Sequence, residues 1–154
     1  MSLLRLPLAV YKDLRAHGEE TYPNECCGAL LGRLTAEGWL VDSLVRATNA
    51  RAESRRDRYE ITPAELVKIA REARNRGLEI AGFYHSHPSH PARWSATDLD
   101  EAHWLGCSYV ITEVVHGKAA RTNAYSLAGT SEEDKHFEPL VIQIDDAGSH
   151  TNLT

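Results

Sequence analysis

HSHPSHPARWSATD fills positions 85–98, and the fold and chemistry of this chain are organised around that stretch. It directly follows an apolar run, residues 80–84, that is typical of a buried strand. Because successive side chains of a strand alternate between its two faces, His85 and His87 are expected to point to the same side. Two imidazoles placed side by side at the end of a strand can bind one metal ion.

Two prolines, Pro88 and Pro91, then force a loop, and Ser95 and Asp98 follow at the predicted start of a helix. A carboxylate at that place can return to the two histidines as a third ligand. Two neutral histidines and one aspartate leave a fourth tetrahedral position open, which is the arrangement of a catalytic rather than a structural zinc site. Ser95 is expected to cap the helix, and its hydroxyl could also donate a hydrogen bond to a developing oxyanion.

Two other patterns of zinc hydrolases are absent from the sequence. It has no His-Glu-x-x-His helix and no Pro-Cys-x-x-Cys pair of the zinc deaminases. Cys26 and Cys27 are adjacent rather than spaced as ligands, so they are expected to be buried core thiols. His90 lies in the proline-rich loop and could approach the metal, but neither it nor any other remaining histidine is predicted to be a ligand. These histidines are His17, His90, His103, His116, His136 and His150.

The composition is that of a globular protein with one core. The chain has 154 residues, 42% of them hydrophobic and 25% charged. A net charge of −5 argues weakly against nucleic-acid binding, and no apolar run approaches the roughly 20 residues needed to cross a bilayer. Residues 1–14 have no uninterrupted apolar segment, so no signal peptide is expected. Three cysteines, an odd number, favour a reducing cytoplasm.

Apolar periodicity and turn residues predict an alternation of helices and strands along the chain. Leu6, Val10 and Leu14 define the apolar face of the first helix, and Thr62 and Pro63 are a strong start for the second. The predicted helices cover about residues 7–20, 62–77 and 96–105, and the predicted strands about 26–34, 39–45, 80–85, 109–112, 119–127 and 137–144.

A helix followed directly by a buried strand suggests a mixed α/β layer rather than an all-β barrel. The expected fold class is therefore α/β (α+β), a mixed β-sheet flanked by helices. No internal repeat or linker divides the chain, so residues 1–144 are predicted to form one domain. Residues 145–154 are polar and are expected to form a flexible C-terminal tail.

Two further features have open interpretations. Glu25 stands at the mouth of a predicted buried strand and is a candidate for the general base that a metal-dependent hydrolase needs, but its position alone does not decide this. The loop 49–58 carries Arg51, Arg55, Arg56 and Arg58. A charge run of this kind is usually a solvated surface, and the alternative is that these arginines meet an acidic protein substrate.

Taken together, the motif residues resemble those of a known family. A glutamate, then His-Ser-His, then seven residues, then Ser-x-x-Asp is the pattern of the JAMM (MPN-plus) metalloproteases, and no position departs from it. The resemblance extends from the first helix to about Ile144. It implies a single MPN domain, related in fold to the cytidine deaminases.

The same resemblance implies a role for each motif residue. His85, His87 and Asp98 would hold one zinc ion, Glu25 would be the general base acting on the metal-activated water, and Ser95 would stabilise the oxyanion. Members of this family cleave peptide or isopeptide bonds after the C-terminal Gly-Gly of ubiquitin-like proteins. The implied partner is therefore a ubiquitin-like or sulfur-carrier protein of the ThiS/MoaD type.

The resemblance leaves the substrate open. The minimal size and the sequence around Glu25 look most like small bacterial members, such as the CysO-cysteine peptidase type, which trims a sulfur carrier. An alternative is a deconjugase of a bacterial ubiquitin-like conjugation system. Residues 59–61 and the region of Trp94 are candidate walls of a channel for the Gly-Gly tail. A non-catalytic binding module and a RadC-like DNA-associated protein are disfavoured, because the ligand set is intact and Ser86 stands where the latter usually has Asn.

Overall fold

A computed structural model describes residues 3–145 of the chain. These residues form a seven-stranded sheet and three helices. The strands are β1 (Leu3–Pro7), β2 (Cys27–Thr35), β3 (Gly38–Ala47), β4 (Glu79–Pro88), β5 (Ser108–Val115), β6 (Lys118–Ala128) and β7 (His136–Asp145). The helices are α1 (Leu8–Thr21), α2 (Pro63–Asn75) and α3 (Ala96–Glu101).

The sheet is mixed, as the sequence predicted, and it closes on itself in the order β1-β3-β2-β4-β5-β6-β7. Strand β1 runs parallel to both β3 and β7, and β4 runs parallel to β5. The other neighbouring pairs are antiparallel. The closure was not predicted, because it depends on β1, which joins the two ends of an otherwise open sheet.

Strand β1 corrects the sequence interpretation at the N-terminus. Leu6 was assigned to the apolar face of the first helix, but it lies in β1, and α1 begins at Leu8. Leu4 and Leu6 are fully buried while their neighbours are partly exposed, which is the alternation of a half-buried strand. A segment of only five residues next to a strong helical pattern is too short for its own alternation to stand out.

The third helix is also shorter than predicted. It ends at Glu101 rather than at Leu105, because the amide of Ala102 bonds back to Leu99 and its backbone then turns extended. His103 therefore lies in an irregular segment after the helix. The start of α2 is as predicted, since the Thr62 side chain accepts a hydrogen bond from the amide of Glu65 at 3.1 Å.

Strand β4 is buried on both faces and brings the central motif to one end of the sheet. Phe83 packs in a core cluster with Ile69 and Ala73 of α2. Tyr84 packs on the other side, in a second cluster with Val10 and Leu14 of α1. The strand thus has helices against both of its faces, which fixes where its C-terminal end lies.

The predicted tail, residues 145–154, overlaps the last strand of the sheet by one residue. Asp145 ends β7, is largely buried and forms an ion pair with Arg5 at 3.3 Å. Residues 146–154, with His150, lie outside the described part of the chain. None of the helices in residues 3–145 has the length and apolar character needed to span a membrane.

Candidate metal centre and active site

The two histidines of β4 lie on the same face, as predicted from strand alternation. Their Nε2 atoms are 3.2 Å apart. The Asp98 carboxylate reaches both of them, with Oδ1 3.1 Å from Nε2 of His85 and Oδ2 3.0 Å from Nε2 of His87. Within residues 3–145 this is the one group of histidine, cysteine and acidic side chains whose donor atoms converge closely enough to hold a metal ion.

The loop after β4 orients the second histidine. Nδ1 of His87 lies 2.8 Å from the carbonyl oxygen of Pro91, which can only accept a hydrogen bond. Nδ1 therefore carries a proton, and Nε2 is the ring nitrogen that faces Asp98 and His85. A backbone carbonyl behind a metal-binding imidazole commonly sets its tautomer in this way.

Asp98 is held by the start of α3. Its amide donates to the Ser95 hydroxyl oxygen at 3.0 Å, and its Oδ2 accepts from the Ser95 amide at 2.9 Å, so the two residues form a capping box. The cap uses Ser95 Oγ as an acceptor and leaves the hydroxyl proton uncommitted among the described residues. The capping and oxyanion interpretations of Ser95 are therefore compatible.

Glu25 lies at the start of β2 and is 2% exposed. Its Oε1 is buried and has no hydrogen-bond partner among residues 3–145. Burial, assisted by the nearby charges of Asp98, Asp57 and Glu101, raises the pKa of the Glu25 carboxyl to about 9. An unpaired buried carboxyl is costly and is typical of a functional rather than a structural residue.

The backbone of Glu25 is fixed by the arginine-bearing loop. Its amide donates to the carbonyl of Arg55 at 2.7 Å, and its carbonyl accepts from Nδ2 of Asn49 at 3.2 Å. The same Asn49 amide group donates to the carbonyl of Arg58 at 2.9 Å. The loop 49–58 is thus part of the framework that holds Glu25, a role that the sequence did not reveal for Asn49.

The charges of the cluster are strongly coupled. Burial lowers the pKa of His85, although Asp98 opposes this. Burial also acts to lower the pKa of His87, but the hydrogen bond and charge of Asp98 outweigh it, so that pKa lies above its usual value. Burial acts to raise the pKa of Asp98, but the two histidines together hold it well below its ordinary range. Asp98 is therefore a carboxylate at neutral pH.

The cluster fits a divalent metal ion. The two Nε2 atoms lie 3.2 Å apart, and each lies 3.0–3.1 Å from one Asp98 oxygen. These distances are close to the spacing of about 3.3 Å between ligands that each lie about 2.0 Å from a tetrahedral zinc ion. Two imidazole nitrogens and one carboxylate oxygen suit zinc and other first-row metals. Two facing nitrogen lone pairs also repel each other unless a proton or a cation lies between them.

Two cavities flank the cluster. The first, of about 290 Å³, includes Tyr59, Glu60, Ile61 and Glu101 in its walls. The Tyr59 ring stacks on His85 with centroids 4.7 Å apart, which links this cavity to the His85, His87 and Asp98 cluster. Residues 59–61 therefore line a cavity beside the site, and their role as channel walls stays a prediction.

The second cavity, of about 580 Å³, lies on the side of Ser95 and His87. Trp94 lines it and packs against Phe137 at a centroid distance of 5.6 Å. Trp94 thus lines a cavity next to His87 and Ser95, and its role as a channel wall stays a prediction.

The other histidines that the structure describes lie outside the cluster. His17 bonds the Tyr84 hydroxyl at 2.7 Å, and His103 and His136 pair with acidic side chains. The His90 ring is 6.1 Å from the His87 ring and is exposed. Cys26 and Cys27 are buried free thiols, as predicted, and burial raises the pKa of both.

Comparison with curated proteins gives two relatives of named activity. A protein named "Desampylase" from Haloferax volcanii is 39% identical over 89 residues, which are 58% of this chain and 62% of that protein. A protein named "Probable TtuB-protein conjugate cleaving protease" from Thermus thermophilus is 30% identical over 102 residues, which are 66% of this chain and 65% of that protein. The matches span less than two thirds of either relative.

Solved structures share the fold over nearly the whole chain. A protein from Salinibacter ruber is 41% identical, with a TM-score of 0.67 and 90% of each chain covered. A protein from Desulfitobacterium hafniense is 24% identical, with a TM-score of 0.75 and 96% of this chain and 97% of that one covered. The second likeness supports the fold alone.

A family model described as prokaryotic homologs of the JAB domain matches residues 7–128. This range covers well over half of the chain and includes all six motif residues, Glu25, His85, Ser86, His87, Ser95 and Asp98. The chain therefore belongs to the prokaryotic homologs of the JAB domain, the JAMM/MPN family that its motif indicated.

Proposed function

We propose that this protein is a zinc-dependent protease that cleaves the bond after the C-terminal Gly-Gly of a ubiquitin-like or sulfur-carrier protein. The proposal rests on one observation. His85, His87 and Asp98 converge, and the same structure holds a buried Glu25 carboxyl whose Oε1 has no hydrogen-bond partner among the described residues. The first three supply a ligand set, and the fourth is a proton acceptor held without a partner of its own.

A bound zinc ion would polarise the scissile carbonyl and activate the attacking water. His85 and His87, through Nε2, and the ionised Asp98 would hold that ion. The Pro91 carbonyl keeps the His87 ring in the tautomer that binding requires.

Glu25 accepts one proton from the attacking water and delivers it to the leaving nitrogen. The water oxygen bonds to the carbonyl carbon, and the carbon–nitrogen bond breaks. A cation held by the neighbouring ligand residues would favour the ionised form of Glu25 and so oppose the rise in its pKa that burial causes.

Ser95 stabilises the carbonyl oxygen as negative charge develops on it. Its Oγ accepts from the Asp98 amide, which fixes the oxygen position, and its hydroxyl proton is left to donate to the substrate. A donor fixed before the reaction loses little free energy to reorganisation, which is why such donors are effective.

A Gly-Gly tail suits the space around the site. Having no side chains, it can approach the metal through the cavity walled by residues 59–61 and be held mainly by backbone hydrogen bonds. Specificity then comes from the globular part of the partner. The arginines of loop 49–58 would favour a partner with an acidic surface next to its tail.

The names of the two curated relatives support cleavage of protein conjugates over trimming of a sulfur carrier. The deconjugase alternative is therefore the first substrate class to test. A non-catalytic binding module would have no use for the intact ligand set or for an unpaired buried Glu25.

The test uses wild-type protein and Glu25→Gln, both loaded with zinc. Each is incubated with a ubiquitin-like protein joined through its Gly-Gly to a lysine, and separately with a sulfur carrier extended by cysteine, and product mass is followed. We expect wild type, but not Glu25→Gln, to cleave after the second glycine. Equal cleavage by both proteins would refute the role of Glu25, and no cleavage of either substrate class by zinc-loaded wild type would refute the proposed function.

A further inference from the structure

The loop 89–95 joins β4 to α3 and carries two elements of the site: the Pro91 carbonyl, which orients His87, and Ser95. Ala92, which directly follows Pro91, is 2% exposed. Its carbonyl accepts two hydrogen bonds from β6, from Nδ2 of Asn123 at 2.9 Å and from the Tyr125 hydroxyl at 3.2 Å. We propose that Asn123 and Tyr125 are positioning residues that hold the metal-binding histidine and the oxyanion donor in place through Ala92.

The two donors lie on one face of β6. Asn123 and Tyr125 are two residues apart, so strand alternation directs both toward the same side. They pair across the sheet with Ile111 and Tyr109 of β5, the strand next to β4. We call the two hydrogen bonds from Asn123 and Tyr125 to the Ala92 carbonyl the anchor. The anchor starts from β6, which pairs with β5, and β5 in turn pairs with β4.

The carbonyls of Pro91 and Ala92 are held by residues of different strands, β4 and β6. The Pro91 carbonyl accepts from Nδ1 of His87, and the Ala92 carbonyl accepts from Asn123 and Tyr125. Because the two carbonyls belong to consecutive residues, fixing the Ala92 carbonyl restricts the rotation of the Pro91 carbonyl. Without the anchor, the Pro91 carbonyl can turn away, and the His87 ring loses the contact that sets its tautomer.

Near Ser95 the loop makes no other hydrogen bond to the sheet among the described residues. The beginning of the loop is tied to β5 by the Ser89 amide, which donates to the Val114 carbonyl at 2.7 Å. Past Ala92, both Arg93 and Trp94 are exposed, and the Trp94 ring packs on Phe137 of β7. The two bonds to Ala92 are thus the last hydrogen bonds of the loop to the sheet before the Ser95 cap of α3.

The inference deepens the proposed function, and its first readout does not depend on catalysis. Tyr125→Phe removes one donor and little else, Asn123→Leu removes the other, and the double variant removes both. Thr122→Val is the matched control, since it deletes a hydroxyl on the opposite face of the same strand that bonds Thr112 at 2.9 Å.

Amide hydrogen exchange is measured by mass spectrometry on the full chain, both zinc-loaded and after chelation. We expect exchange in residues 89–97 to rise about tenfold in the double variant, and less in each single variant, while the rest of the chain keeps its protection. Thr122→Val should leave this segment unchanged. A uniform rise over the whole chain, or an unchanged loop in the Tyr125→Phe and double variants, would overturn the proposal.

Kinetics of the zinc-loaded proteins give the second readout. We expect kcat of the double variant to fall by about 10- to 100-fold, with KM changed by less than about twofold, because the substrate tail is not held by the anchor. A fall in affinity with unchanged kcat would contradict a positioning role. Failure of the proposed function itself is distinguishable, since wild type would then be inactive while the exchange pattern would still respond.

Discussion

Replacing Glu25 with glutamine removes a buried carboxyl whose ionisation is unfavourable. The Glu25 carboxyl is 2% exposed, and one of its oxygens has no partner among the described residues. Burial raises its pKa from 4.5 to about 9. The native state therefore binds this proton more tightly than the unfolded chain, and stability is lost as pH rises from 4.5 toward 9.

The size of the effect follows from the two pKa values. Between them, the free energy of unfolding falls by about 1.4 kcal/mol per pH unit. From pH 5 to pH 8 the wild type should lose about 4 kcal/mol through Glu25, and Glu25→Gln should lose none of this. Other titrating groups contribute equally to both proteins. The cost of burying the glutamine amide does not depend on pH, so it shifts every measurement on the variant by the same amount. The pH dependence of the difference in unfolding free energy between the two proteins therefore reports the ionisation of the Glu25 carboxyl.

The assay is urea unfolding of both chelated proteins at pH 5, 6, 7 and 8. We expect the stability of Glu25→Gln relative to wild type to rise steadily with pH. By thermal unfolding, the same change would raise the relative Tm by about 2–4 °C for each kcal/mol. A gap between the two proteins that does not vary with pH would show that Glu25 ionises normally, and the reasoning about its burial would be refuted.

Four other substitutions test the site and the fold. Asp98→Ala should lower zinc affinity by about 100-fold or more, measured by equilibrium dialysis; retained stoichiometric zinc would show that another group is the third ligand. Ser95→Ala should reduce turnover by about 10- to 1,000-fold and stability by about 1 kcal/mol, and loss of stability alone would make it only a cap. Gly82→Ala should cost about 3 kcal/mol or more by urea unfolding, because the new Cβ would lie 2.0 Å from the Ser108 carbonyl oxygen. Gly77→Ala, with open space but a φ of +69°, should cost only about 1 kcal/mol, and equal costs for the two glycines would contradict the packing of β4 on β5.

The ligand cluster could be predicted from the sequence because strand and helix geometry set it locally. His85 and His87 share a face by strand alternation, and Asp98 is placed by the helix cap at Ser95. The family resemblance, rather than local geometry, identified Glu25. Its contact with the rest of the site depends on β2 pairing with β4, where Cys27 lies opposite His85, and such pairings between distant segments are not encoded in local periodicity.

Other parts of the structure could not be predicted for the same reason. The closure of the sheet depends on a five-residue β1 that pairs with β3 and β7, far along the chain. Asn123 and Tyr125 act on a loop about thirty residues away, and in the sequence they look like ordinary strand residues. The end of α3 at Glu101 is decided by a single backbone turn, whereas the sequence pattern predicted a helix to about residue 105.

The central claim, that His85, His87 and Asp98 hold a catalytic zinc ion for the proposed protease, is tested most directly by returning metal to chelated protein. Cleavage of a Gly-Gly conjugate is measured as zinc is added in fractions of one equivalent. The account predicts that activity is absent at first, rises in proportion to zinc and stops rising at one zinc per chain, with Asp98→Ala inactive throughout. Full cleavage in the presence of chelator, or unchanged cleavage by Asp98→Ala, would contradict it.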